Sequence, residues 1–72
     1  MKIELTDKQV EVIAESLIYM GTEWGHCVKR LNHSPDDVQF DYWTEKRKKE
    51  VRSQYRIARN ILPKLGYDKD NI

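Results

Sequence analysis

The chain has 72 residues, 35% of them charged, a formal net charge of +1 and one cysteine. A domain this short buries only about 60% of its unfolded surface, so a lone core is marginal, and a single cysteine excludes an internal disulfide as the remedy. No stretch approaches the roughly 18 apolar residues of a membrane span, and the start Met1-Lys2-Ile3-Glu4 lacks the apolar run of a secretory signal. One soluble, cytoplasmic domain is therefore expected, including inside a host cell if the chain is phage-encoded.

The small net charge hides a split. Residues 1–44 carry four Lys or Arg against eight acids, and residues 45–72 carry nine against four. The asymmetry is informative where the total is not.

In chain order, residues 1–5 alternate as a short extended arm. Thr6 is an N-cap with Gln9 three residues on, the pattern of a capping box, and Asp7 suits the positive end of a helix dipole. Leu5 and Val10 flank the cap as a hydrophobic staple. A first helix follows from about 7 to 31. Its apolar seam is Val10, Ile13, Leu17, Met20, Trp24, Cys27 and Leu31, at spacings of three and four. Ala14, Gly21 and Val28 lie beside the seam, small enough for another helix to approach. The helix is expected to be continuous, with Gly21 and Gly25 as its weakest points at about 1 kcal/mol each relative to Ala.

Ser34-Pro35-Asp36-Asp37 ends that helix and offers a second start, with Pro at the first helical position. A short helical turn through Phe40 is expected, and Asp41 is a further cap for a second helix from about 42 to 65. Residues 45–50 contain no apolar side chain. The seam then returns at Val51, Tyr55, Ala58, Leu62 and Leu65, broadened by Ile57 and Ile61. Pro63 kinks or ends the helix, Gly66 is a C′ residue, and 67–72 reads as a frayed tail. The fold class is all-α: a single domain over 1–72, built as an antiparallel helical hairpin.

A hairpin covers only one side of each helix. A second copy, giving a dimeric helical bundle, is the economical cover. Val12, Ile18, Tyr19, Trp24, Ile57 and Ile61 are the self-association candidates. In the monomeric alternative, Phe40 and Trp43 fold back against Trp24, Val28 and Leu31.

The basic ridge of the second helix, Lys48, Lys49, Arg52, Arg56 and Arg59, has two readings. Arg52, Arg56 and Arg59 could be paired along the flank with Glu15, Glu11 and Asp7 of the first helix. Otherwise they meet an external acidic protein or the phosphates of a nucleic acid. The aromatic cluster Phe40, Tyr42 and Trp43, beside Lys46, Arg47, Lys48, Lys49, Arg52 and Arg56, has the composition of an interface hot spot. His26, Cys27 and His33 match no zinc spacing. No phosphate loop or nucleophile motif is present. Catalysis, a metal and a cofactor are therefore not expected.

The expected function is non-catalytic binding of a larger host protein. Stoichiometric inhibitors or adaptors of the phage and mobile-element kind share this size and charge. Nucleic-acid or nucleotide binding through the ridge is the alternative, and a purely structural self-assembling element is a third.

Overall fold

The computed structural model describes residues 3–72; of the extended arm expected over 1–5, residues 1 and 2 lie outside them. Helix α1 spans Asp7–His33 and helix α2 spans Glu45–Ile61. Three short 3₁₀ turns complete the chain, at Val38–Phe40, Leu62–Leu65 and Lys69–Asn71. The two helices pack against each other as a hairpin, and the all-α class holds.

Helix α1 begins as its sequence requires. The Thr6 hydroxyl accepts from the Gln9 backbone N–H at 3.1 Å, and the Gln9 side chain accepts from the Thr6 N–H at 2.9 Å. The helix passes through both glycines unbroken and ends two residues later than expected. The Ser34 N–H closes it on the Arg30 carbonyl, and Pro35 bars continuation. Asp37 then caps the turn through Phe40, its carboxylate accepting from the Gln39 N–H. Helix α2 starts at Glu45 rather than 42. Asp41 is spent closing that turn, its N–H on the Val38 carbonyl, and Thr44 is the cap, accepting from the Arg47 N–H at 3.1 Å. At the far end Gly66 adopts φ 87°, the left-handed conformation a C′ glycine supplies.

The buried line of α1 is Ala14, Gly21, Gly25 and Leu31. It is rotated by about 70° from the expected seam, taking 100° per residue. Ile13 and Met20, expected inside, are 39% and 44% exposed. The reason is steric. Small residues let α2 and the C-terminal segment come close, whereas the large seam residues would hold them off. A Cβ on Gly25 would stand 2.9 Å from a Tyr55 ring carbon, and one on Gly21 would stand 2.7 Å from Ile72 Cδ1. Val51, Ala58 and Leu62 form the facing line of α2, as their spacing implies.

Residues 67–72 are not a frayed tail. They double back along the hairpin and lay Ile72 on Gly21. The Ile72 carbonyl accepts from the Tyr55 hydroxyl and from Arg59 Nη1, at 3.3 and 3.2 Å, and Arg59 Nη2 reaches Asp70 at 3.4 Å. At the other end, Leu31, Phe40 and Val51 form a buried cluster against which Trp24, Cys27, Val28 and Trp43 pack. The Phe40 and Trp43 rings meet edge-on at 5.2 Å. The connection between the helices thus plugs one flank from within.

Gly25→Ala improves intrinsic helix propensity by about 1 kcal/mol yet pushes against a rigid ring, an overpacking cost of about 1–3 kcal/mol. We expect a net loss of stability in urea unfolding. Phe40→Ala is expected to cost about 3–5 kcal/mol, enough to unfold much of a chain this small by circular dichroism.

Candidate functional site

Two flanks of the hairpin carry the exposed chemistry. Viewed down each helix, Ile13, Leu17 and Met20 of α1 and Ile57 and Ile61 of α2 are displaced from the buried line in one rotational sense. Glu11, Glu15 and Ile18 of α1 and Arg52, Arg56 and Lys49 of α2 are displaced in the other. In an antiparallel pair of right-handed helices, equal senses fall on the same flank.

The first flank is apolar. Ile57, Ile13 and Met20 are 50%, 39% and 44% exposed, and Leu17 and Ile61 are partly covered. It continues towards the connection, where Trp43 is half buried and the Arg47 guanidinium lies 5.1 Å from its ring centroid, a cation–π arrangement. Next to it Tyr42 is 97% exposed. Lys46 and Arg47 are exposed, and neither is in an ion pair among the described residues.

The second flank is charged. Its first half carries Asp7, Glu11 and Glu15, and its second half carries Lys49, Arg52 and Arg56. The pairing of Arg52, Arg56 and Arg59 with Glu15, Glu11 and Asp7 does not form. Arg52 instead donates to Asn32 Oδ1 at 3.2 Å, and Arg59 is engaged by Tyr55, Ile72 and Asp70. Register explains this. The connection is short and Gly25 faces Tyr55, so the ridge lies beside residues 21–32 of α1. The acidic stripe is left at the other end, where every residue from Ile3 to Gln9 is exposed.

The basic surface is also wider than the ridge on α2. An open groove of about 460 Å³ is lined by His26, Lys29, Arg30 and His33 on the last turns of α1. Sequence reasoning considered the two histidines only as metal ligands. Their i, i+3, i+4, i+7 spacing with Lys29 and Arg30 was the signal for one shared face. Among the described residues, no group of three or more His, Cys, Asp or Glu side chains is placed to hold a metal ion, and no helix is long and apolar enough to cross a membrane.

Several candidates change role. Phe40 is 3% exposed and belongs to the core, so it contacts no partner. Trp24 packs on the same cluster and is used within the chain. The Lys48 side chain is mostly covered and pairs with Glu45 at 3.2 Å. Tyr42, Trp43, Lys46, Arg47, Lys49, Arg52 and Arg56 keep exposed or half-buried positions. The remaining self-association candidates divide: Ile57 and Ile61 sit on the apolar flank, and Val12, Ile18 and Tyr19 lie on or behind the charged one.

The Arg59 guanidinium is held above its ordinary value, first by its hydrogen bond to the Tyr55 hydroxyl and then by the nearby Asp70. A raised value gives a contribution that is present throughout the neutral range and lost only in strong alkali. The clamp on the C-terminal segment is therefore not a physiological pH switch.

Comparison with protein-family models, with curated proteins and with solved structures finds no match to this chain.

Arg59→Ala removes the ion pair with Asp70 and one of the two donors to the Ile72 carbonyl, leaving only the Tyr55 hydroxyl. We expect hydrogen exchange of the Asp70, Asn71 and Ile72 amides to rise to near the unstructured rate while helix content is unchanged. Equal protection in the variant would contradict the clamp.

Proposed function

We propose that this chain is a non-catalytic protein-binding module that acts by occupying a surface of a larger protein, and that it associates with itself as a helical bundle. The observation behind the docking face is the continuity of the apolar flank with Tyr42, Trp43, Lys46 and Arg47. Half-exposed Ile, Met and Trp beside an aromatic that is 97% exposed and unpaired cations is the composition of interface centres. Tyr42, Lys46 and Arg47 also contribute little to the fold, since all three are exposed and α2 presents no apolar side chain before Val51. The action is stoichiometric, that of an inhibitor or adaptor in the manner of phage and mobile-element accessory proteins. The partner complements the face with an apolar depression rimmed by acids.

The test uses folded variants that change only this face. The immobilised protein is expected to retain one defined partner from its source cell in a fixed ratio. The variants Tyr42→Ala/Lys46→Glu and Ile57→Asp are each expected to lose it with unchanged circular dichroism. Undiminished retention by both variants overturns the assignment. A salt-sensitive shift of labelled DNA or RNA by the wild type, abolished by Lys49→Glu/Arg52→Glu, would support nucleic-acid binding instead. A monomeric mass at every concentration in sedimentation equilibrium removes the self-association.

A further inference from the structure

We infer that the charged flank is a self-complementary interface. In a two-fold pair, the acidic first turns of α1 in one copy lie along the basic first turns of α2 in the other. This deepens the self-association reading and rests on it.

The two stripes match in kind and in length. Asp7, Glu11 and Glu15 span about 12 Å along α1, and Lys49, Arg52 and Arg56 span about 10 Å along α2, at 1.5 Å per residue. Within one chain they cannot meet, because the helix register sets the ridge beside residues 21–32 of α1. Among the described residues, the only ion pair either stripe makes is that of half-exposed Glu11 with neighbouring, exposed Lys8.

The wider charge pattern follows the same axis. Between residues 3 and 23 five acids face one base, Lys8; the other end of the hairpin, from Lys29 to Arg59, holds nine Lys or Arg against five acids, with Arg30 paired to Asp37. One flank thus runs from negative to positive along the hairpin. Such a flank repels a copy laid alongside it in the same sense and attracts one turned end for end. A two-fold axis across the flank makes that turn, and it repeats the acid–base contact twice. A uniformly acidic or uniformly basic partner would meet repulsion from one half or the other, so the flank fits a second copy better than a nucleic acid.

The middle of the flank provides the apolar contact. Tyr19 is 73% exposed beside Ile18, and a groove of about 470 Å³ runs between Glu15, Ile18, Tyr19, Thr22 and Glu23. Near the axis, Tyr19 of one copy falls close to the groove of the other. The opposite flank stays outside the pair, so docking of a different protein there and pairing here are compatible.

Charge reversal on each stripe tests the geometry. One variant carries Glu11→Lys/Glu15→Lys and a second carries Lys49→Glu/Arg52→Glu; circular dichroism first confirms that both are folded. In sedimentation equilibrium the wild type is expected to dimerise. Its affinity should fall roughly tenfold or more as salt rises from about 0.05 to 0.5 M, since the pairs are exposed and screened. Each variant alone places like charges at both contacts and is expected to be monomeric. An equimolar mixture restores both contacts and is expected to form a one-to-one heterodimer. If the wild type is a monomer throughout, self-association itself fails. If the wild type dimerises but each variant does too, the chain associates through another face and this assignment fails alone. Monomeric variants that do not combine on mixing also overturn it.

Discussion

The close approach of Gly25 to the Tyr55 ring fixes the rest of the molecule. With no Cβ at Gly25, α2 settles against α1 in one register. That register places Arg52 beside Asn32 and sets the Phe40 turn over Leu31. It also leaves Gly21 as the neighbouring gap, which Ile72 fills. A side chain of ordinary size at either glycine would move the helix or lift the C-terminal segment. The propensity cost of two mid-helix glycines, about 1 kcal/mol each, is offset by the packing they permit.

The charge pattern is a consequence of the same register. Had the helices slid so that α2 reached residues 7–15, the acids and bases would have neutralised one another within the chain. Instead the hairpin is held together by a small buried core, by the Phe40–Trp43 plug at one end and by the Arg59 clamp near the other. The acidic stripe and the basic ridge are left unpaired with each other. The two flanks are correspondingly different: one apolar and edged by Trp43, Arg47 and Tyr42, the other graded from acid to base. In the proposed reading, binding and self-association fall on different flanks and no residue serves both.

The helices and most of their ends were legible in the sequence. Thr6 with Gln9 is a local signal and forms as written, as do the breaks at Pro35 and Gly66, because caps and turns depend on near neighbours. The rotation of α1 was not legible. Periodicity ranks positions by hydrophobicity and so favours Ile13 and Met20 over Gly21 and Gly25, while the packing was decided by how near another element could come. The fold-back of 67–72 was hidden for a related reason: its anchors, Tyr55 and Arg59, are distant in sequence and read as seam and ridge. Thr44 was passed over for Asp41 because Asp41 is as good a cap residue and stands before the aromatic Tyr42 and Trp43, whereas residues 45–50 offer no apolar side chain to mark a start. The second basic face, on α1, was divided in the sequence between histidines considered for metal and Lys29 and Arg30, which entered only the charge count.

The contact at the two glycines is open to direct observation by nuclear Overhauser spectroscopy on the labelled protein. Cross-peaks from the Gly25 Hα protons to the Tyr55 ring and from the Gly21 Hα protons to the Ile72 methyls are expected, with the Gly25 Hα resonances displaced by the ring current. Cross-peaks that instead join Ile13 and Met20 to Val51 and Ala58, with random-coil shifts over 68–72, would contradict the small-residue packing and the register that follows from it.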